Sequence, residues 1–207
     1  MRERSEKYFL GWEESESSPV TDVGGKGKNL GRLHRYGFSV PLGGVLISQA
    51  YPDFLDHNEL AGSIQALAAI KADEVLTGEK QLEGVRQKIY ERHIPDLILK
   101  ELAEALAGMN LLEKAVAVRS SAAAEDSAST SFAGIHDSFL NVRGVEHIIK
   151  AIKGCYASLW APRQSVEKLN LNSAHKPKIV QFKDSRKVFP YIYPTISNII
   201  FCSSSQI

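Results

Sequence analysis

The chain has 207 residues, of which 43% are hydrophobic and 24% charged, a composition ordinary for a globular domain with a sizeable core. Its formal net charge of +1 gives no overall attraction to nucleic acid or to a membrane surface, so neither is an expected partner. Two cysteines do not suggest a disulfide scaffold, the N-terminus shows no apolar core of signal-peptide length, and no run reaches the roughly 18 apolar residues that span a bilayer; we expect a cytoplasmic protein.

The predicted elements alternate between strands and helices without an internal repeat. The first part of the chain is predicted to form a strand at 7–12, a loop at 13–18, a helix that starts near Gly25 and ends before Gly37, a strand at 45–47 and a short helix capped by Ser48. Helices follow at 59–71 and 80–92, and a further helix begins after Pro95 and ends at Gly108 and Asn110. The last predicted elements are a strand at 115–118 that leads into a polar loop beginning at Arg119, a small-residue loop at 122–134, a strand at 138–142 and a helix at 145–160. This order predicts a fold of mixed α and β structure.

The end of the chain differs in composition from the rest. Positions 168–207 hold six of the 25 basic residues but only one of the 24 acidic residues, Asp184. The same region is rich in β-branched residues. We expect a basic tail here, which is more often a solvated segment than a nucleic-acid site.

The first segment that could carry chemistry is GGKGKN at residues 24–29, at the expected start of a helix. The free amides of a helix N-terminus attract anions, glycines let the backbone approach them, and a lysine adds a point charge for phosphate. The Walker A spacing is absent. The alternative is a glycine-bounded helix whose lysines are solvated.

The second segment is Arg119 with the hydroxyls that follow it, Ser120 and Ser121. An arginine at the end of a buried strand has a fixed direction, and its planar fork suits phosphate oxygens. The alternative is an arginine that pairs with a surface acid, Glu125 or Asp126.

The third segment is TSFAG at residues 130–134, a small-residue loop with one aromatic side chain. Such a loop can fold over a nucleotide and exclude water, or it can be a plain surface connection.

The six histidines are scattered and form no cluster with cysteines, so the sequence predicts no zinc site.

Together these segments resemble the nucleotide-binding domain of the phosphoenolpyruvate synthase and pyruvate phosphate dikinase family. The resemblance runs in order through VGGKGKNLG at 23–31, GFSVP at 37–41, AVRSSA at 117–122, ED at 125–126, SFAG at 131–134, DSFLNV at 137–142 and CYASLW at 155–160. It therefore covers residues 20–165, between a lead-in at 1–19 and an unmatched basic tail at 166–207.

The resemblance implies an α+β fold of the ATP-grasp type, with a mixed sheet, packed helices and the nucleotide in a cleft between two subdomains. It implies that Lys26 and Arg119 contact the phosphates of ATP, that Arg119 is the catalytic residue, and that a loop lies over the phosphates, formed by Ser131, Phe132, Ala133 and Gly134. Full-length members of the family use ATP to phosphorylate a histidine on a swivelling domain, and a third domain passes the phosphate to pyruvate. Rifampicin phosphotransferases use similar nucleotide domains with other acceptors.

The family pattern is not matched after Arg163. The resemblance assigns to that region the second ATP-grasp subdomain, with its adenine pocket and magnesium-binding acids. We therefore expect an N-terminal portion whose second subdomain is missing: the ATP-binding part of a dikinase-type phosphotransferase, not catalytically complete alone, from a truncated or rearranged gene. Magnesium is expected from the family, but its ligands are not found in the sequence.

Three other interpretations stay open. The chain can be a rifampicin phosphotransferase-like fragment, a non-catalytic module that pairs with a chain carrying the missing ATP-grasp half and a phosphohistidine domain, or an inactive remnant. ATP binding that depends on Lys26 and Arg119 favours the enzyme fragment. A stable complex favours the module, and poor solubility from exposed apolar surface favours the remnant.

Overall fold

The computed structural model of the chain describes residues 7–68, 75–121, 138–160 and 198–203. Within them lie five strands and seven helices, numbered here in chain order: β1 (Phe9–Gly11), α1 (Trp12–Ser17), α2 (Val20–Arg35), β2 (Gly43–Leu46), α3 (Ala50–His57), α4 (Ala61–Ala68), α5 (Val75–Glu91), α6 (Asp96–Gly108), β3 (Val116–Ser121), β4 (Ser138–Val142), α7 (Val145–Ser158) and β5 (Asn198–Ser203). The predicted α+β class is confirmed.

The strands form one sheet in the order β1-β2-β5-β3-β4. The described pairings are all antiparallel, whereas the resemblance implied a mixed sheet. The central strand is β5, which comes from the region expected to be a basic tail. Its sequence, NIIFCS, is rich in β-branched and aromatic residues, and all six residues are buried between β2 and β3.

One face of the sheet carries Val45, Ile200 and Arg119, and we call it the arginine face. These three are successive register partners across β2, β5 and β3. Residues directly opposite one another in antiparallel strands project to the same side. Helices α1 and α2 cover part of this face, because Gly27 of α2 packs on Val45 and Trp12 of α1 packs on β2.

The opposite face holds much of the apolar core. The rings of Phe9 and Phe201 lie 5.8 Å apart between β1 and β5. On β4, Phe139 packs against Gly154 of α7, where a Cβ atom would lie only 2.3 Å from the ring. This glycine lets the helix approach the sheet closely.

Helices α3 and α7 are joined by aromatic side chains. The rings of Tyr51 and Tyr156 lie 4.7 Å apart, and Phe54 lies 5.4 Å from Tyr156. The indole Nε1 of Trp160 donates to the Tyr51 hydroxyl at 2.7 Å. Cys155, which the sequence predicts to be a packing residue, is fully buried on α7.

Two helices end as the sequence predicts. After α2, Gly37 has φ +79°, its N–H donates to the carbonyl of His34, and the N–H of Phe38 donates to Leu33. This is the Schellman arrangement, which needs a residue in the left-handed region. Asn110, with φ 54°, ends α6 in the same way.

The prediction of a loop at 13–18 is wrong, because most of these residues form α1. The N–H of Gly11 donates to the Glu14 carboxylate at 3.0 Å, which stabilises the helix start. The Ser15 hydroxyl donates to the Gly11 carbonyl at 2.8 Å. Trp12 and Ser15 are buried, so one side of this polar sequence faces the core.

Two predictions at element ends are also wrong. Ser48 does not cap α3, since the capping position is Gln49. The Ser48 hydroxyl donates instead to the carbonyl of Thr21 at 2.9 Å. Arg119 does not begin a loop, because β5 pairs with β3 as far as Ser121 and keeps the strand extended.

The central position of β5 makes Phe201 a stabilising residue. We expect Phe201→Ala to lower the free energy of unfolding by about 3–5 kcal/mol, since it removes a fully buried ring and leaves a cavity. Leu140→Ala on β4 is the matched control, because Leu140 is 58% exposed and its loss should change stability by less than about 0.5 kcal/mol. Urea denaturation measures both; equal stabilities would contradict the central placement of β5.

Candidate functional site

The glycine-rich segment of α2 contains a break in the helix. Gly24 has φ 67° and ψ 167°, a conformation that is essentially restricted to glycine. A second helical segment therefore starts at Gly25, close to the helix start that the sequence predicts. Lys26 lies in the first turn of this segment and is exposed. A helix N-terminus with an exposed lysine is suited to bind an anion.

The segment before the break is held by the turn after β2. The N–H of Ser48 donates to the carbonyl of Asp22 at 2.9 Å, and the Ser48 hydroxyl donates to Thr21 at 2.9 Å. The ammonium group of Lys28 donates to the carbonyl of Ser18 at 2.7 Å. Lys28 thus stabilises the α1–α2 connection.

Two glycines of the motif serve packing rather than ligand approach. A Cβ atom at Gly27 would lie 2.8 Å from the Val45 side chain, and one at Gly31 would lie 2.5 Å from the Trp12 carbonyl oxygen. At Gly31 the short contact is with backbone, so α1 or α2 would have to move, and at Gly27 the valine side chain or the helix would have to shift. Because Gly27 and Gly31 have no side chains, α2 can lie close to both the sheet and α1.

Arg119 projects from the arginine face and is exposed. Its Nε donates to the Ser138 hydroxyl at 3.2 Å, across the β3–β4 pairing. Helix α2 contacts β3 and β5 as well as β2. The helix that bears Lys26 therefore lies on the sheet face from which Arg119 projects.

Arg119 also influences a buried thiol. Cys202 lies on β5 opposite Ala117, on the arginine face. Burial raises the pKa of Cys202 to about 11, and the positive charge of Arg119 opposes this rise. The thiol itself stays protonated at neutral pH, so we assign it no nucleophilic role.

A further polar residue on the arginine face comes from the tail. Asn198 is paired with Ser121, is 1% exposed, and its side-chain Nδ2 has no hydrogen-bond partner in the structure as described. Buried donors normally have one. Asn198 was not among the predicted site residues, although the apolar β-branched run that follows it is typical of a strand.

Some predicted residues cannot be placed. The loop that is predicted to cover the phosphates, which consists of Ser131, Phe132, Ala133 and Gly134, lies outside the described residues, as do Glu125 and Asp126. Within the described ranges, no group of three or more His, Cys, Asp or Glu side chains could hold a metal ion. Among the described helices, none has the length and apolar character that crossing a bilayer requires.

Comparison with known proteins gives one family. The family described as "Pyruvate phosphate dikinase, AMP/ATP-binding domain" matches residues 20–176. A phosphoenolpyruvate synthase from Pseudomonas aeruginosa (strain UCBPP-PA14) is 40% identical over 167 residues, 76% of this chain and 21% of that protein. A rifampicin phosphotransferase from Bacillus subtilis (strain 168) is 34% identical over 183 residues, 87% of this chain and 21% of that protein.

An archaeal phosphoenolpyruvate synthase, from Aeropyrum pernix, is 34% identical over 167 residues, 76% of this chain and 20% of that protein. The chain thus spans about a fifth of the length of the curated relatives it matches. The similarity therefore relates this chain to the AMP/ATP-binding domain. It does not show that the chain has the activity of the longer relatives.

The close packing of α2 on α1 can be tested with one methyl group. We expect Gly31→Ala to lower the melting temperature by several degrees, because the new Cβ meets backbone atoms of Trp12 and Glu16 that cannot move independently. Gly84→Ala on α5 is the matched control, since nothing lies within 4 Å and alanine favours a helix by about 0.5–1 kcal/mol. Thermal denaturation followed by circular dichroism distinguishes them; similar melting temperatures would contradict the packing.

Proposed function

We propose that this chain, which belongs to the pyruvate phosphate dikinase AMP/ATP-binding domain family, binds the phosphates of ATP between Lys26 and Arg119. The observation that supports this most is the contact of Gly27 with Val45. It places the helix of Lys26 on the sheet face from which Arg119 projects. Neither residue is buried, so both are accessible to a ligand.

The two side chains suit different tasks. Lys26 is a compact charge at the start of a helical segment, where backbone amides also favour an anion. Arg119 presents a planar fork that can bind two phosphate oxygens at once. Phosphoryl transfer depends on alignment and charge neutralisation more than on covalent help. Arg119 is therefore our candidate for the catalytic residue, since it can stabilise charge on the transferred phosphoryl group.

Magnesium is a further expectation from the family, but the described residues do not fit it. They contain no acidic cluster that could hold the ion. We therefore assign no step to a metal. The loop at 131–134 remains part of the proposal as the segment that covers the phosphates and excludes water.

The phosphate acceptor is proposed from the relatives. Both phosphoenolpyruvate synthases and rifampicin phosphotransferases match this chain, and the identity is higher for the Pseudomonas synthase. We favour a pyruvate-directed dikinase, with transfer completed by a second ATP-grasp half and a phosphohistidine domain. A rifampicin phosphotransferase is the second candidate, because its match extends over more of this chain. The proposal includes a cytoplasmic location, where ATP is available.

The central test is titration of the purified 207-residue chain with ATP and magnesium by calorimetry. We expect Lys26→Ala and Arg119→Ala each to weaken binding by about tenfold or more, since each removes charge-assisted hydrogen bonds worth about 1.5–3 kcal/mol. Melting temperatures should stay within about 1 °C of the wild type, because both side chains are exposed.

The controls remove exposed charges elsewhere. Lys100→Ala on α6 and Arg92→Ala after α5 lower the net charge equally and should leave ATP affinity unchanged. A folded wild type that does not bind ATP contradicts nucleotide binding by this chain alone. Binding that Lys26→Ala and Arg119→Ala leave intact contradicts the proposed site and not the binding. A large drop in their melting temperature assigns them a structural role.

A further inference from the structure

We infer that Ser138 is a positioning residue for Arg119, and that an extra residue in β4 brings it into place. This inference rests on the proposed role of Arg119 in phosphate binding. Ser138 belongs to the DSFLNV segment at 137–142, for whose hydroxyl group no separate role was predicted.

The contact joins neighbouring strands. Arg119 of β3 and Ser138 of β4 are register partners, and directly opposed residues of an antiparallel pair project to the same face. The Nε of Arg119 donates to the Ser138 Oγ at 3.2 Å. This is the side-chain hydrogen bond that the described residues provide to the guanidinium group.

The register depends on a β-bulge. Val116 is opposite Val142, but Val118 is opposite Phe139, so β4 has one more residue than β3 in this interval. Asn141 lies in the bulge with φ 55°, which asparagine tolerates better than most residues. A regular ladder from Val142 onward would place Phe139, and not the serine, opposite Arg119. A shift of one residue reverses the faces.

The other face of the sheet fixes this register. Phe139 is directed towards α7 and packs on Gly154, where no side chain obstructs its ring. Since successive residues of a strand alternate between faces, Ser138 must then project to the arginine face. The packing of Phe139 in the core therefore determines which side chain stands beside Arg119.

The hydrogen bond prepares Arg119 for a phosphate. Guanidinium has five N–H donors in a fixed plane, and the bond from Nε restricts rotation of that plane. Among the described residues, none is recorded as bonding to the four N–H groups of the two terminal nitrogens, which can therefore donate to ligand oxygens. An exposed arginine without this restraint loses more conformational freedom when it binds. Ser138 thus acts through Arg119 and need not touch the ligand.

The test is a double-mutant cycle measured as the dissociation constant for ATP with magnesium, by calorimetry on the full chain. We expect Ser138→Ala to weaken binding by roughly two- to tenfold, and Ser138→Thr to restore it, because threonine keeps the hydroxyl. In an Arg119→Ala background, Ser138→Ala should have no further effect. Melting temperatures of all variants check that the fold is intact.

Two results overturn the inference while leaving the proposed function in place. One is wild-type affinity in Ser138→Ala when Arg119→Ala weakens binding. The other is an equal loss from Ser138→Ala with and without Arg119, which would mean that the serine acts on the ligand directly or through the fold. Absence of ATP binding by the folded wild type, or normal binding by Arg119→Ala, overturns the role of Arg119 and this inference together.

Discussion

The close packing of α2 against the sheet is the constraint on which the proposed site depends. It requires glycine at position 27, where the Val45 side chain lies beneath α2, and it is accompanied by close packing on α1, which requires glycine at position 31. The break at Gly24 then turns the chain so that a second helical segment starts on the face that carries Arg119. The glycines of one motif thus perform two tasks: Gly24 creates a helix start, and the later two hold the helix in place.

The arginine end of the site depends in the same way on the centre of the sheet. Strand β5 lies between β2 and β3, so it joins the part of the sheet under α2 to the part that carries Arg119. Without β5, the two halves would share no ladder of backbone hydrogen bonds. Residues near the end of this chain are therefore part of the same sheet as those near its beginning.

Much of the local structure could be predicted from the sequence, because periodic apolar residues and helix-ending residues such as Gly37 and Asn110 act over short distances. The ATP-binding family could also be predicted, since its motifs occur in order, and the comparison confirms it. The position of β5 could not, because strand pairing is decided by residues distant in the chain. The Arg119–Ser138 contact depends on a bulge at Asn141, for which the sequence gives no distinct signal.

The most direct test of the account is to localise ATP on the chain by nuclear magnetic resonance. The ¹⁵N-labelled protein is titrated with ATP and magnesium, and the backbone amide shifts are followed residue by residue. We predict that amides at 24–28 and at 118–120 shift together with one dissociation constant, while those of α6 on the other side of the sheet do not. Shifts confined to one of the two segments, or centred on α6, would contradict a phosphate site shared by α2 and β3.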